Sequence, residues 1–136
     1  MPTNDVANDL RIVLGQLIRR LRTDDVLPTS HIAVLSSLDR VGAQTTSGLA
    51  AGQHMRPQSM AHTVAELEKE GLVERRPDAD DRRQVIVELS KRGRELLYET
   101  RRRREDWLAQ AIAGLTPAEQ KVLQQAIALL ERLAAL

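Results

Sequence analysis

The chain has 136 residues, 42% of them hydrophobic, so it is long enough for one domain with a buried core, or for one domain with additional dimerisation arms. The absence of cysteine excludes a disulfide framework, a thiolate metal site and a cysteine redox switch. The net charge is only +1, and one Trp, one Tyr and no Phe argue against aromatic platforms that stack on single-stranded nucleic acid.

The N-terminal stretch predicts neither secretion nor membrane insertion. Asp5 and Asp9 lie where a signal peptide carries positive charge, and no apolar run approaches the roughly 18 residues that span a membrane. We therefore expect a soluble, cytoplasmic protein without a membrane partner.

The charge is unevenly distributed along the chain. Residues 72–104 hold eleven Lys and Arg against seven Asp and Glu, whereas residues 105–136 hold two against four. A concentrated basic segment in a nearly neutral protein indicates a face that binds a polyanion, and a solvated surface is the alternative.

Apolar residues at helical spacing predict a first helix that ends before the sequence DDVLP, residues 24–28. Pro28 then interrupts the helical pattern. Thr29 or Ser30 is expected to cap a second helix, which ends at Gly42.

Two further helices are expected before residue 72. The third is short and starts at Thr45 or Thr46. The fourth begins near Pro57, which suits a first helical turn, and ends at Gly71. Its apolar stripe consists of Met60, Val64 and Leu67.

Residues 72–76 and 84–90 predict the two strands of a β-hairpin. In the second strand, Val85, Val87 and Leu89 are expected to face inward, and Ile86 and Glu88 outward. The loop between the strands has the sequence PDADDRR. Ser90 is then expected to cap a long helix that runs to about Leu115.

The last helix is predicted to begin with a capping box, in which Thr116 is the N-cap, Pro117 the first residue and Glu119 the reciprocal partner. It carries two apolar stripes, one of Val122, Ala126, Leu129, Leu133 and Leu136 and one of Leu123, Ile127 and Leu130. One stripe can pack within the subunit, but the second needs another partner. We therefore expect this helix to interlock with a second copy of the chain, and burial within its own monomer is the alternative.

Helix, turn, helix and hairpin in this order make a winged helix-turn-helix, and here the chain resembles the MarR-type transcription regulators. The resemblance rests on LEKEGLVERRP and DDRRQVIVELSKRG, and it covers almost the whole chain. It implies a mainly α fold with a small β-hairpin wing (α+β), a homodimer formed by the N- and C-terminal helices, and, as in many members, release of DNA by a small molecule.

The resemblance also divides the single chain, 1–136, into three parts. We expect an N-terminal dimerisation helix in residues 1–28, a winged helix-turn-helix DNA-binding region in residues 29–92, and a long helix with a C-terminal dimerisation helix in residues 93–136. Ser90 replaces the threonine usual in the family and keeps the capping hydroxyl. His62 stands where many relatives carry arginine, which lowers the positive charge of the recognition helix.

Roles in DNA binding follow from this architecture. A recognition helix contacts base edges with its N-terminal residues, and the apolar stripe leaves four polar candidates outward, namely Gln58, Ser59, His62 and Thr63. Contacts with the DNA backbone are expected from Thr45, Thr46, Arg56, Arg75 and Arg82. The dimerisation candidates are Leu10, Leu14, Leu123, Leu129, Leu130 and Leu133.

The hairpin tip has a role of its own. Arg83 is expected to enter the minor groove, whose negative potential attracts a guanidinium. The resemblance implies that Asp81 braces this arginine, and Asp78 and Asp80 are expected to bond nearby backbone and favour the turn. A solvated loop whose charges merely pair is the alternative.

Other motifs carry less weight. Residues 101–104 are all Arg, and they are expected to form a solvated helix face with i, i+4 pairs, namely Glu99 with Arg103, Arg101 with Glu105 and Arg102 with Asp106. His31, expected at the surface, is a candidate to line an effector pocket, but the three histidines lack the spacing of a metal site. No nucleophile with a nearby base and no phosphate-binding glycine loop is present, so we expect no enzyme activity, cofactor or metal.

We therefore expect a sequence-specific regulator of transcription that binds double-stranded DNA as a homodimer on a pseudo-palindromic operator. A repressor released by a small-molecule effector is the predicted form. The alternative is a winged-helix dimer that serves as a protein-interaction module, which the low net charge and His62 favour. DNA binding in a mobility-shift experiment distinguishes the two.

Overall fold

A computed structural model describes residues 2–136, which form two compact units, residues 2–101 and residues 102–136. The helices of this described part are α1 (Thr3–Arg22), α2 (Thr29–Val41), α3 (Thr46–Gly52), α4 (Pro57–Lys69), α5 (Lys91–Ala113) and α6 (Pro117–Ala134). The strands are β1 (Gln44–Thr45), β2 (Val73–Pro77) and β3 (Val85–Leu89). The predicted mainly α fold with a small β wing is confirmed.

Aliphatic side chains build the core of the first unit, since the chain has no Phe. The largest fully buried side chains include Leu35, Leu49, Met60, Leu67, Leu72 and Leu97. They come from α2, α3, α4, the residue before β2 and α5, so the helix pair α3–α4 is fixed to its neighbours by apolar burial. The predicted stripe of α4 is confirmed, because Met60, Val64 and Leu67 are all buried.

The sheet has three antiparallel strands in the order β1-β3-β2, one more than the predicted hairpin. Gln44 pairs with Val87 and Thr45 with Ile86, so β1 extends the wing on the side of β3. The predicted alternation of β3 is correct for Val87, which is fully buried, but wrong for Val85, which is 38% exposed. Val85 lies opposite Pro77 next to the loop that joins the two strands, at the end of the hairpin away from the core.

Ser90 ties the wing to the long helix. Its Oγ donates to the carbonyl of Gly71 at 2.7 Å and accepts from the backbone N–H of Gly93 at 3.0 Å, which is the capping role predicted for this hydroxyl. Gly71 has a φ of +77°, which favours glycine, and a Cβ on Gly93 would overlap the carbonyl oxygen of Leu72. The backbone therefore approaches closely where β2 and α5 begin.

Most predicted helix ends agree with the structure. Thr45 caps α3 by accepting from Gly48 N–H, and Thr116 and Glu119 form the complete capping box of α6. The cap of α2 was predicted incorrectly, since Pro28 holds the N-cap position and Thr29 is already helical. No side-chain hydroxyl is needed there because the proline carbonyl accepts from His31 and Ile32.

One carboxylate links α2 to α5. Asp39 accepts hydrogen bonds from Arg94 at 3.3 Å, from Tyr98 Oη at 3.0 Å and from Arg101 at 3.0 Å. The hydrogen bond from Arg101 is the main reason why the pKa of Asp39 lies below its usual value. The hydrogen bond from Tyr98 and the charges of Arg101 and Arg94 lower this pKa further. The predicted pairing of Arg101 with Glu105 is thus wrong, because a half-buried acceptor on another helix offers a less solvated partner.

We expect Asp39→Asn to lower the free energy of unfolding by about 1 to 3 kcal/mol at neutral pH, because three donors lose a charged acceptor. The folded pKa is depressed, so this contribution is present above the unfolded pKa and is lost as the pH falls through the folded pKa. The stability difference should therefore be constant between about pH 7 and pH 5 and narrow below about pH 4. Urea unfolding of both proteins at several pH values measures this stability difference. Asp9→Asn, on the exposed face of α1, is the control. A stability difference that does not depend on pH contradicts the role given to the charge of Asp39.

Two helices leave apolar side chains in water. α1 buries no residue, and Val13, Leu17 and Ile18 are each more than 40% exposed. In α6, Leu129 and Leu133 are more than half exposed, whereas Leu123 and Leu130 are half-buried. Among the residues that the structure describes, no helix is long and apolar enough to cross a membrane.

Candidate DNA-binding site

The outward face of α4 carries the predicted base-contacting side chains, with one exception. Gln58, Ser59 and His62 are exposed, as is Arg56 at the N-cap. Thr63 is buried, with 7% of its surface exposed, so its predicted outward position is wrong. Residue 63 lies at i+3 from Met60, within the buried stripe, and a hydroxyl does not change which face of the helix the spacing selects.

A groove of about 320 Å³ brings together residues of α3, α4 and the wing. Its lining includes Thr45, Thr46, Pro57, Arg75 and Arg83. The lining residues that were predicted to contact DNA come from the start of α3 and from the wing, so these two parts of the chain share one surface. The N-terminus of α3 opens onto this groove, with hydroxyls and backbone N–H groups of the kind that bind phosphate.

The hairpin tip has the bracing geometry expected for it. Arg83 Nε donates to Asp81 Oδ1 at 3.1 Å, and Arg83 Nη2 lies 3.4 Å from Asp81 Oδ2. The hydrogen bonds of the arginine side chain and then of its backbone N–H lower the pKa of Asp81, which keeps this carboxylate charged. Arg83 is 91% exposed on its side chain, so the guanidinium is held in direction but remains accessible.

The turn itself is formed by acidic side chains. Asp78 Oδ1 accepts from the backbone N–H of Asp80 at 3.0 Å, and Asp81 Oδ1 accepts from the backbone N–H of Arg83 at 3.1 Å. Both are turns in which an aspartate bonds backbone two residues further on. The adjacent Arg82 is exposed.

Arg75 is engaged before any DNA is present. Its Nε and Nη2 donate to the two oxygens of Glu68 at 2.9 Å and 2.8 Å, in a bidentate pair that joins β2 to α4. This pair lowers the pKa of Glu68 and raises that of Arg75, in each case chiefly through the side-chain hydrogen bond. Arg75 therefore contributes to fixing the wing against α4, a role that the sequence did not reveal.

A second carboxylate on α4 holds two histidines. Glu66 Oε2 lies 2.9 Å from His31 Nε2 on α2, and Glu66 Oε1 lies 2.6 Å from His62 Nε2 on the outward face of α4. His31 is 7% exposed, so its predicted surface position is wrong. It lies at i+3 and i+4 before Val34 and Leu35, and this spacing turns it inward.

Sequence reasoning missed three residues of this surface. Ala61 and Ala65 are exposed on α4 at i+3 and i+7 from Gln58, where small side chains permit close approach to a groove. Gln84 lines the groove beside Arg83. The spacing of Ala61 and Ala65 from Gln58, at i+3 and i+7, could have placed both alanines on the same face of α4. The position of Gln84 depends on the fold of the wing.

Comparison with known proteins agrees with this geometry. The family model described as MarR matches residues 27–85. Two curated relatives are each 36% identical over 124 residues, which is 89% of this chain and 87% of each relative. They are the uncharacterized HTH-type transcriptional regulator Mb0904 of Mycobacterium bovis and the HTH-type transcriptional regulator MT0903.1 of Mycobacterium tuberculosis.

Solved structures extend the similarity to the whole fold. A Pseudomonas aeruginosa PA01 protein described as a transcriptional regulator is 39% identical, with a TM-score of 0.87 over 97% of this chain and 96% of that chain. The transcriptional regulator Tm0710 from Thermotoga maritima shares the fold at 18% identity, with a TM-score of 0.81 over 96% and 94% of the two chains. Because the winged region matches the family model and relatives above 30% identity cover nearly the entire chain, the protein belongs to the MarR family of transcriptional regulators.

Proposed function

We propose that two copies of the chain form a sequence-specific repressor of transcription in the cytoplasm, which binds a pseudo-palindromic operator and releases it when a small molecule binds. The observation that carries the DNA-binding role is the shared groove between α3, α4 and the wing. Side chains chosen separately for phosphate and minor-groove contacts line it together. A protein-interaction module has no need of this convergence.

The exposed N-terminal half of α4 is assigned to the major groove. Gln58 pairs with adenine through its amide, Ser59 bonds a base or a phosphate, and His62 donates to guanine or a phosphate. All three side chains are exposed. The exposed alanines beside them leave room for the helix to approach the base edges.

Contacts with the DNA backbone are assigned to the residues around this helix. Thr45 and Thr46 supply hydroxyls at the start of α3, and Arg56 and Arg82, each exposed, supply cations. Arg75 uses two of its nitrogens on Glu68, which leaves Nη1 for a phosphate. Such contacts set register and affinity, and sequence preference comes from α4.

The homodimer is assigned to the apolar faces of α1 and α6, whose side chains are exposed or half-buried within one chain. These faces include Leu10 and Leu14 on α1 and Leu123, Leu129, Leu130 and Leu133 on α6. A second copy covers these faces by a two-fold contact, in which the same surface serves both subunits. Two winged helices related by two-fold symmetry require half-sites about one helical turn, roughly 10 base pairs, apart.

We expect Gln58→Ala to weaken binding to the operator by about 1 to 3 kcal/mol and to change binding to random DNA little, because a base contact is lost and no phosphate contact is. Fluorescence anisotropy on both DNA fragments at one salt concentration measures the two effects. Arg82→Ala is the matched control, since loss of a phosphate contact weakens both complexes similarly. Equal losses for Gln58→Ala on the two fragments would assign this residue to the backbone.

A mobility-shift experiment on DNA upstream of the chain's own gene tests the function directly. A regulator that controls neighbouring genes should give a discrete complex on this fragment that an excess of random DNA does not compete away. Absence of any specific complex there and among selected genomic fragments favours the protein-interaction module instead.

Release by a small molecule is proposed over release by thiol oxidation, because the chain has no cysteine. A preformed operator complex is expected to dissociate in the presence of some members of a panel of small aromatic acids and to survive peroxide. Reversible loss of DNA binding in peroxide, with no response to the panel, contradicts this assignment.

A further inference from the structure

Glu66 occupies an unusual position for a charged residue of the recognition helix. It is half-buried between a buried histidine of α2 and an exposed histidine of α4, at 2.9 Å from His31 Nε2 and 2.6 Å from His62 Nε2. If the outward surface of α4 only needed to be solvated, His62 would not need a contact with a carboxylate that also contacts His31 on α2. The arrangement fixes the orientation of the His62 ring.

Hydrogen-bond chemistry determines which atoms carry protons. Each Nε2 lies within ion-pair distance of Glu66, and an ionised carboxylate only accepts, so we take the proton of each ring to be on Nε2. The His62 side chain is 77% exposed, and its remaining nitrogen, Nδ1, is the ring atom left for another partner. When the ring is neutral and its proton is on Nε2, Nδ1 is an acceptor. Nδ1 donates only when the ring is protonated on both nitrogens.

His31 anchors the carboxylate from behind. Its side chain is 9% exposed, and within residues 2–136 its Nδ1 is buried without a hydrogen-bond partner. Burying an unsatisfied ring nitrogen is unfavourable, so packing alone does not account for a histidine at this position. Its contact with Glu66, at 2.9 Å from Nε2, brings the carboxylate against α2.

The other charged groups near Glu66 are placed differently. Glu70 lies one turn further along α4, and Arg75 on β2 pairs with Glu68. α3 contains no charged or titratable side chain, and α2 faces Glu66 with His31. Lys69 follows Glu66 by three residues on α4, but within residues 2–136 the two histidines are the basic groups within 4 Å of this carboxylate.

We propose that Glu66, anchored by His31, is a positioning residue that directs Nδ1 of His62 toward a hydrogen-bond acceptor of DNA, either guanine N7 or a phosphate oxygen. The inference rests on the proposed DNA contact of α4. The Nδ1–H donor exists only in the protonated ring, so specific affinity increases as the pH falls through the range in which histidine changes charge.

Operator affinity at about pH 6 and about pH 8, at constant ionic strength, tests the proposal. We expect the wild-type affinity to fall on the order of tenfold across this range, the magnitude of one charge-assisted hydrogen bond. His62→Gln and Glu66→Gln should each remove most of this pH dependence, and Glu66→Gln should have no further effect when His62→Gln is already present. Glu70→Gln removes the same charge one turn away and should keep the wild-type profile. A wild-type profile in Glu66→Gln, or an equal loss of pH dependence in Glu66→Gln and Glu70→Gln, overturns the proposal.

A measurement without DNA separates this inference from the proposed function. Nitrogen chemical shifts of the imidazole rings report their tautomers, and in the free wild-type protein above neutral pH both rings should carry the proton on Nε2. The amide of Glu66→Gln offers one acceptor and one donor, so one ring must change to the Nδ1–H tautomer. Unchanged tautomers overturn the positioning role. Absence of specific DNA binding by the wild type at either pH defeats the proposed function alone.

An operator that contains 7-deazaguanine identifies the acceptor on DNA. If guanine N7 accepts from His62, the modified operator loses the pH dependence of binding. If a phosphate accepts, the modified operator keeps it.

Discussion

Deletion of residues 116–136 should give a monomeric or unstable chain that has lost specific DNA binding. The deleted segment contains α6, on which Leu129 and Leu133 are more than half exposed. Exposed leucines in a row on a helix indicate a face that another subunit covers. Sedimentation at several protein concentrations, together with operator binding, measures both effects.

Loss of the dimer should abolish the preference for operator over random DNA, because one dimer binds both half-sites at the same time. Once one winged helix is on its half-site, the second binds at a high effective concentration that a separate monomer does not have. A monomer keeps contacts with one half-site and with phosphates, so it should retain weak binding that hardly distinguishes the operator from random DNA. The expected loss is therefore far larger than that of any single side chain.

A milder change removes the ambiguity of a deletion. The double substitution Leu129→Glu with Leu133→Glu leaves the capping box and length of α6 intact but places two charges in the proposed interface. Gln124→Glu, on the opposite side of this helix, is the control and should remain dimeric. A Leu129→Glu, Leu133→Glu protein that sediments as a dimer and binds the operator normally disproves the assigned interface.

Local chemistry explains why most of the fold was predictable. Thr45, Thr116 and Gly71 act within a few residues of their own position, by capping a helix or by adopting a positive φ. The winged helix could be predicted because these signals occur in order. In contrast, β1 has two residues, too few for an alternating pattern, and it exists because β3, some forty residues later, supplies its partners.

The side chains that were misplaced or missed depend on distant partners. Arg101 bonds Asp39, 62 residues away, and nothing near Arg101 in the sequence marks that partner. Thr63 was assigned by its hydroxyl, although its spacing from Met60 placed it in the core. Glu66 was absent from the candidate site because its contact with His31 crosses from α4 to α2.

The bracing of Arg83 by Asp81 at the tip of the wing was the most specific prediction from the sequence. Both residues lie within one loop. Arg83→Ala should weaken operator binding by about tenfold or more, because a guanidinium in the minor groove is lost along with its charge. Anisotropy at constant salt measures the change. Arg82→Ala is the neighbouring control and should weaken specific and random complexes alike, whereas an Arg83→Ala protein that binds as tightly as wild type removes the wing from the interface.

The Asp81→Ala variant tests whether Asp81 affects DNA binding by orienting Arg83 or through its own negative charge. The carboxylate accepts from Arg83 Nε at 3.1 Å, and this bond lowers its pKa, so it is charged at neutral pH and repels DNA. Simple electrostatics therefore predicts tighter binding when Asp81 is removed. Bracing predicts the opposite, because a guanidinium that is 91% exposed and no longer held must be ordered when DNA binds. We expect weaker operator binding by Asp81→Ala, and no further effect of this change in an Arg83→Ala background. Tighter binding by Asp81→Ala at constant salt would show that its charge, and not its bond to Arg83, determines what the wing does.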